Sequence, residues 1–294
     1  MVYIDSLVWT IKKAYKAKDK GISLHELEEC WNREVYDSKF QIRTFYRHVR
    51  DIEKSFGIHI IFDKKLKGYR ISDFDKDATT MAMWFFNSHF LVSQAAEHCE
   101  LHERILYEDV THELFNMEPV VKAVASCKHI GFDYWKGYDE EEHREGAPLG
   151  LYLFNRVWYL VLERADGVRL TYALDRISNV EILESEFVYP ENFNMKDYFK
   201  HSFGIFRPNE GKPEKVVLRF FGKMAKFVTH QPLHRSQELL KRDADSATFS
   251  YCVFITPDWV NHITSFGGDF EVVKPQSLRR EIHERALAMA EHNK

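Results

Sequence analysis

This chain of 294 residues has few cysteines and no long apolar run, and each shortage excludes a class of protein. The four cysteines, Cys30, Cys99, Cys127 and Cys252, lie too far apart to suggest a disulfide framework or a cysteine zinc site. No stretch approaches the ~20 consecutive apolar residues that a membrane span requires. The short apolar run near the N-terminus is followed by lysines, which is the wrong order for a secretion signal. We therefore expect a cytoplasmic protein, without a membrane partner, that folds into about two or three domains.

An excess of positive charge is also missing from the chain as a whole, but not from its N-terminal part. The formal net charge is -4, whereas residues 1–75 carry 15 Lys and Arg against 12 Asp and Glu. Within residues 39–70 the imbalance increases to 9 Lys and Arg against 3 Asp and Glu. This local cationic patch indicates a polyanionic partner that the overall charge conceals.

Hydrophobic periodicity predicts three short helices near the N-terminus, the first over roughly residues 3–17. The second begins at a capping box, in which the side chains of Ser23 and Glu26 each satisfy an orphan amide. Asp37 or Ser38 is the expected cap of the third helix. Its apolar positions recur every three or four residues and are Ile42, Phe45, Val49, Ile52 and Phe56.

The third helix carries a cationic face nearly opposite its apolar face, at about 100° per residue. The members of this face are Arg43, Arg47, Arg50 and Lys54. Gly57 ends the helix, and two short strands over residues 58–62 and 69–71 then enclose a lysine-rich turn. Three helices followed by a basic hairpin predict a winged helix-turn-helix domain over residues 1–75.

Duplex DNA is the expected partner of this surface, because its phosphates are densely charged and its major groove admits one α-helix. The N-terminal half of a recognition helix usually meets the bases. The predicted base readers are therefore Gln41, Arg43, Thr44 and Arg47. The cations assigned to the phosphates are Arg50, Lys54, Lys64, Lys65 and Lys67. The alternative is that the charged stripe is merely a solvated helix face.

Residues 76–117 are predicted to form a helical connector without a metal or catalytic site. His98 and His102 have the i, i+4 spacing of a ligand pair, but no third ligand position is recognisable. His112 begins no metalloprotease motif, because residue 116 is Asn where a second histidine is needed. Neither a G-x-S-x-G elbow nor a G-x-G-x-x-G loop after a strand is present. We therefore predict a protein that is not an enzyme and that has no catalytic residues, metal or cofactor.

From residue 128 onward the pattern changes to short strands, with an acidic loop expected over residues 139–145. The predicted strands cover residues 129–135, 149–154, 157–163, 168–174 and 179–183. Asp166 and Gly167 indicate a two-residue hairpin turn, which would place Tyr159 opposite Leu174 and diagonally beside Arg176. Both faces of this hairpin carry apolar residues, which favours a small closed barrel over an open sheet.

Two stretches of this region resemble the signatures of the WYL-domain transcriptional regulators, a bacterial family. These stretches are Val157-Trp158-Tyr159-Leu160 and Leu174-Asp175-Arg176-Ile177. Further along, residues 232–237, 265–267 and 270–275 look like the C-terminal extension found in many members. The resemblance implies an α+β chain in which the winged helix-turn-helix is followed by an Sm-like barrel over residues 118–206. A ferredoxin-like α/β sandwich over residues 214–294 completes the expected architecture.

The resemblance also implies a homodimeric, ligand-responsive repressor that binds palindromic duplex DNA and senses a nucleotide or nucleic-acid-like effector with its barrel. By motif position Tyr159 and Arg176 are the expected effector contacts, and Tyr134 and Arg156 are added by similarity and proximity. Equally, Tyr159 can be a core residue and Arg176 can pair with a carboxylate. Because Sm-like barrels also hold single strands, an RNA-binding module is the alternative function.

Overall fold

The computed structural model describes residues 3–17, 20–34, 39–72, 76–97, 104, 114–137 and 140–294. Some residues discussed above lie outside these ranges: Asp37, Ser38, His98, Cys99, His102, His112 and residue 139. The chain divides into two compact units, Met1–Glu108 and Asp109–Lys294. Helices and strands are both abundant, which confirms the α+β class. Among the helices described, none has the length and apolar character needed to cross a bilayer.

The first unit contains a bundle of short helices and one β-hairpin. Its elements are α1 (Tyr3–Ala17), α2 (Leu24–Glu34), α3 (Ile42–Phe56), β1 (Ile60–Asp63), β2 (Gly68–Ile71) and α4 (Lys76–Glu97). The predicted capping box is present at the start of α2, where the Ser23 amide donates to Glu26 Oε2 at 2.8 Å and the Glu26 amide donates to Ser23 Oγ at 3.2 Å. Gly57 ends α3 with a left-handed φ of 62°.

The core of this unit lies between α1, α3 and the hairpin. Ile11, Ile52 and Ile58 are completely buried there, and an aromatic group around Trp9 and Trp31 fills the space beside α2. The predicted start of α3 needs correction, because its N-cap is Gln41, whose side chain makes no capping hydrogen bond. Ile42 is 50% exposed instead of buried, since it is the first residue of the helix.

The second unit begins with a helix and a five-stranded antiparallel sheet. The elements are α5 (Leu114–Ser126), β3 (Lys128–Gly137), β4 (Glu140–Phe154), β5 (Val157–Glu163), β6 (Arg169–Ala173) and β7 (Ile177–Glu186). Their order in the sheet is β6-β5-β4-β3-β7. Within the part of the chain that the structure describes, no strand pairing joins β6 to β7. A fully closed barrel is therefore not confirmed. Val120 and Ala123 of α5 are buried against one face of the sheet.

Residues 140–145, predicted as an acidic loop, belong instead to strand β4. Two of their side chains pair across the ladder with charged side chains of β3, and the local sequence does not reveal these pairs. Glu142 pairs with Lys136, and His143 Nδ1 lies 2.9 Å from Asp133 Oδ1. Because these partners stand on the neighbouring strand, an acidic run can extend as a strand there.

The β5–β6 hairpin has a register that differs by one residue from the predicted one. Tyr159 pairs with Ala173 rather than with Leu174. The loop is one residue longer than predicted, and Gly167 takes a left-handed φ of 77°, as in hairpins that combine a type I turn with a bulge. Strand β6 then ends before Arg176, which lies in a turn of 3₁₀ helix over Leu174–Arg176. Arg176 therefore does not occupy the predicted diagonal position on the strand.

The C-terminal part of the second unit is a four-stranded antiparallel sheet with helices. The elements are α6 (Met195–Tyr198), β8 (Glu214–Phe221), α7 (Gly222–His230), β9 (Glu238–Arg242), β10 (Ser246–Val253), α8 (Pro257–Thr264), β11 (Phe270–Lys274) and α9 (Gln276–His292). The sheet order is β11-β8-β10-β9. From β8 to β11 the chain thus follows a β-α-β-β-α-β path, as in ferredoxin-like sandwiches. Trp259 of α8 and Tyr251 of β10 are buried in its core.

Candidate nucleic-acid interface

The cationic face predicted for α3 is exposed to solvent in the structure. Its four members, Arg43, Arg47, Arg50 and Lys54, are all exposed and lie within about 60° of one another around the helix axis. No described residue forms a salt bridge with Arg43, Arg50 or Lys54. Their charges are therefore available to an external anion.

Arg47 is held more firmly than its neighbours on this face. Its guanidinium group lies over the Tyr3 ring, 5.7 Å from the ring centroid. The Tyr3 hydroxyl in turn donates to the Asp51 carboxylate, and this hydrogen bond is the largest cause that raises the Tyr3 pKa. The contact links the cationic face of α3 to the start of α1.

The two uncharged residues that are predicted to read bases contact a different part of the surface from the cations of α3. Gln41 and Thr44 line a cavity of about 190 Å³ on the side of α3 that faces α1 and α2. Thr44 lies about 100° around the helix axis from Arg43 and about 60° from Arg47. The structure therefore brings Arg43 and Arg47 together with the cations assigned to phosphates, whereas Thr44 lies at the border of that face and Gln41 is the N-cap of the helix.

His48 is a buried polar residue of α3 that the sequence analysis did not single out. Only 3% of its surface is exposed. Its Nε2 atom lies 3.2 Å from Ser6 Oγ, and its Nδ1 atom lies 3.3 Å from Thr10 Oγ1, so it connects α3 with α1. The sequence contains a signal for the burial of this residue, because position 48 lies three residues after Phe45 and four residues before Ile52, beside the apolar face of the helix.

We expect acid to weaken α3 through His48. Burial, followed by the nearby Arg47 charge, lowers the pKa of His48 from its usual 6.5. The unfolded chain therefore binds a proton near pH 6.5 while the folded chain resists it, so stability is lost as the pH falls below that value. Hydrogen exchange of the α3 amides from pH 7.5 to pH 5 should show this loss. The His48→Gln variant should show less of it, and equal pH dependence in both proteins would contradict the assignment.

The hairpin after α3 presents three exposed lysines on an ordered turn. Asp63 organises this turn by accepting from the Lys65 amide at 2.9 Å and from Arg70 Nε at 3.0 Å. These contacts, of which the Arg70 bond is the largest, lower the pKa of Asp63. The exposed residues are Lys64, Lys65 and Lys67.

The hairpin is attached to the helices by close backbone contact. Ile22 and Tyr69 exchange two backbone hydrogen bonds, of 2.9 and 2.7 Å. A Cβ atom added at Gly68 would lie 2.6 Å from the Ile22 nitrogen, so only glycine fits there. Tyr69 also packs edge-on against Phe45 of α3, with ring centroids 4.9 Å apart. The turn lysines and the α3 cations are therefore positioned by one packed structure.

The predicted effector residues lie on the five-stranded sheet of the second unit. Tyr159 of β5 is half-buried, and burial is the largest cause that raises its pKa. Asp175, Tyr134 and Asp258 raise this pKa further and Arg176 lowers it, so these groups share one neighbourhood. Arg156 is not among the groups that shift this pKa, and it lies in the turn between β4 and β5 with a φ of 67°.

Two family models match parts of the chain. Residues 116–182 match the WYL domain, and residues 212–290 match the WCX domain. No curated protein matches the chain. One similar solved structure is the proteasome accessory factor B/C (PafBC) of Arthrobacter aurescens, with 20% identity and a TM-score of 0.38, covering 95% of this chain and 45% of that chain. Another is a CRISPR Cas-related protein, with 12% identity and a TM-score of 0.42, covering 99% of this chain and 84% of that chain. The chain thus spans less than half of the length of PafBC.

Proposed function

We propose that this chain, which carries a WYL domain and a WCX domain, is a transcriptional regulator that binds duplex DNA through its first unit. The observation that carries the proposal is the exposed row of Arg43, Arg47, Arg50 and Lys54 on one side of α3. The three helices and the hairpin fit a winged helix-turn-helix, in which α3 enters the major groove and the hairpin follows the backbone. The WYL domain supports a regulatory role, and we infer no catalytic one.

The proposed roles of these residues in DNA binding follow from their positions on α3 and on the hairpin. Arg43 and Arg47 lie in the first half of α3, where a recognition helix meets base edges, and an arginine can bind guanine with two hydrogen bonds. Arg50, Lys54 and the turn lysines are placed for phosphates, which supply affinity and register without sequence information. Gln41 and Thr44 can contact bases at the N-terminal end of the helix, beside the cationic row.

We propose a homodimer that acts as a repressor on a palindromic operator. One short helix makes too few base contacts for tight discrimination, whereas a symmetric pair about doubles them. Two copies of α3 would then address half-sites about one helical turn apart, or a multiple of that distance. A nucleotide or nucleic-acid-like effector would act by binding one arrangement of the two copies better than the other.

The effector is proposed to contact Tyr159 and Arg176, with Tyr134 beside them. An aromatic ring can stack on a base, and a guanidinium group can bind a phosphate with two hydrogen bonds. We expect Arg176→Ala to leave operator affinity unchanged and to reduce the response of DNA binding to a short single-stranded oligonucleotide. Arg176 is exposed, so its loss should not affect folding. An unaltered response would remove Arg176 from the effector site.

A mobility-shift assay on the DNA upstream of the gene itself tests the proposed function. The chain should shift this fragment, and the affinity should fall steeply with salt, as expected when cations bind phosphates. Competition with unlabelled single-stranded RNA separates the two candidate functions. If RNA displaces the duplex at equal concentration, the single-strand-binding module is favoured over the operator-binding regulator.

A further inference from the structure

A pair of tyrosine hydroxyl groups joins α3 to the hairpin of the first unit. The Tyr46 oxygen lies 3.0 Å from the Tyr69 oxygen, so one hydroxyl donates to the other. Tyr46 belongs to α3 and is 45% exposed, whereas Tyr69 belongs to β2 and is half-buried. The pair therefore lies at the surface, at the junction of the two elements that carry the proposed phosphate contacts.

One proton of this pair has no acceptor in the part of the chain that the structure describes. Each tyrosine hydroxyl has one proton to donate. The bond between Tyr46 and Tyr69 uses one of the two protons, and neither hydroxyl has another hydrogen-bond partner among the described residues. Burial, followed by the bond to Tyr46, raises the pKa of Tyr69 to about 12, so this hydroxyl stays protonated at pH 7. The second proton is therefore available to an acceptor outside the chain.

Tyr69 is the inner member of the pair, and Tyr46 is the outer one. The Tyr69 ring packs edge-on against Phe45 and Phe62, at centroid distances of 4.9 and 5.2 Å. Its backbone exchanges hydrogen bonds with Ile22, so its hydroxyl is held in place. When Tyr69 donates to Tyr46, the remaining proton belongs to the more exposed hydroxyl. The two hydrogen bonds of such a chain strengthen each other, because each polarises the next.

Tyr46 also lies beside the cationic face of α3. It is about 40° around the helix axis from Arg50 and about 60° from Arg43. Residues four positions apart on a helix have Cβ atoms about 5–6 Å apart, so Tyr46 and Arg50 are surface neighbours. A DNA backbone that contacts Arg50 therefore passes the Tyr46 hydroxyl as well.

A phosphate oxygen is the acceptor that best fits this position. The phosphates of a duplex present charged acceptors at regular intervals, and tyrosine hydroxyls are among the groups that bind them. Because its hydroxyl is bonded to Tyr69, Tyr46 is held toward the hairpin side of α3. The DNA backbone is expected on that side, since the hairpin of a winged helix follows it.

We propose that the Tyr46–Tyr69 pair is an uncharged phosphate-binding site, in which Tyr69 donates to Tyr46 and Tyr46 donates to a backbone phosphate of the bound duplex. This inference rests on the proposed function, because it requires α3 and the hairpin to contact the same duplex. The pair fixes the helix and the hairpin to one phosphate without adding a positive charge. It therefore contributes to affinity and register, but not to the salt dependence of binding.

Mobility-shift titration of the Tyr46→Phe variant tests this assignment. Its affinity should fall about ten-fold on the upstream fragment and equally on a scrambled duplex of the same composition, because a hydrogen bond to a charged group is lost. The slope of log affinity against log salt concentration should stay unchanged, because no cation has been removed. Tyr15→Phe is the matched control, since Tyr15 is also 45% exposed but lies on α1, and it should bind like the unaltered chain.

Tyr69→Phe separates a phosphate contact from a purely structural role of the pair. Both variants break the same bond, so a pair that only holds the hairpin would give equal losses of affinity. A direct contact predicts a smaller loss for Tyr69→Phe, of about three-fold or less, because this variant keeps the Tyr46 donor.

Three results would overturn this inference alone: full affinity of Tyr46→Phe for the duplex, equal losses in both variants, or a loss confined to the upstream fragment. The last of these would indicate a base contact instead of a phosphate contact. An unaltered chain that shifts neither duplex would overturn the proposed function and this inference together.

Discussion

The Arg43→Ala/Arg47→Ala variant should bind duplex DNA at least about 30-fold more weakly than the unaltered chain, because each arginine–base contact is worth about 1–3 kcal/mol. Both side chains are exposed on α3, so the loss should come from the interface and not from the fold. Among the described residues, Arg47 loses its contact with Tyr3, and its packing on the ring contributes about 0.5–1 kcal/mol at an exposed site. A mobility-shift titration at ~0.1 M salt measures the effect, with the salt fixed because such affinities depend on it.

The control for this variant removes two positive charges elsewhere in the same unit. Lys16 and Arg33 are both exposed and lie on α1 and α2 rather than on α3. We expect Lys16→Ala/Arg33→Ala to retain most of the affinity, apart from the weak effect of net charge. Similar losses in both variants would show that total charge matters rather than its position. A parallel fall in melting temperature of the Arg43/Arg47 variant would mean that these residues are structural.

Gly68→Ala should destabilise the first unit by at least about 2 kcal/mol and should also weaken DNA binding, since it forces the hairpin away from the helices. The added Cβ would lie 2.6 Å from the Ile22 nitrogen and 2.9 Å from the Gly21 carbonyl carbon, both of which are backbone atoms. Because backbone cannot rotate aside, the two hydrogen bonds between Ile22 and Tyr69 should be strained or lost. Urea unfolding and a mobility-shift titration measure the two effects.

Gly57→Ala is the matched control for this substitution. Gly57 has a left-handed φ of 62°, and an added Cβ meets nothing within 4 Å. Its loss should therefore be limited to backbone strain of about 1 kcal/mol, with the turn lysines left in place. If Gly68→Ala is tolerated as well as Gly57→Ala, then the hairpin is not tied to the Gly21–Ile22 segment in the way the structure places it.

Features of the sequence that depend on near neighbours could be predicted well. The capping box of Ser23 and Glu26 and the stop at Gly57 are local patterns, and the structure confirms both. The face shared by the α3 cations also follows from helical geometry alone. These features are read from residues a few positions apart, for which the helix itself fixes the distances.

Features that depend on distant partners were predicted less well. The sequence predicts a loop for the acidic stretch of β4, because the partners of Glu142 and His143 lie on β3. The register of the β5–β6 hairpin was wrong by one residue, since an Asp-Gly pair fits both a two-residue turn and a longer loop with a bulge. In both cases the local sequence allows two conformations, and contacts elsewhere in the sheet select one.

The candidate sites also differ in how far they could be predicted from the sequence. The cations of α3 could be named from the sequence because one helix carries them all. The surroundings of Tyr159 could be predicted only in part, because Tyr134 and Asp258 belong to distant parts of the chain and approach Tyr159 only after the second unit has folded. His48 is an intermediate case, since its place on the apolar face is a sequence property but its partners Ser6 and Thr10 are not.

The salt dependence of duplex DNA binding tests the central claim most directly, when it is measured for the unaltered chain and for Arg50→Ala/Lys54→Ala. Each phosphate contact contributes about 0.9 to the slope of log affinity against log salt concentration. If these two exposed cations grip phosphates, the variant should have a slope smaller by about two for each protomer bound, with sequence preference unchanged. An unchanged slope would show that the cationic face of α3 does not meet the DNA backbone, and the proposed mode of binding would be wrong.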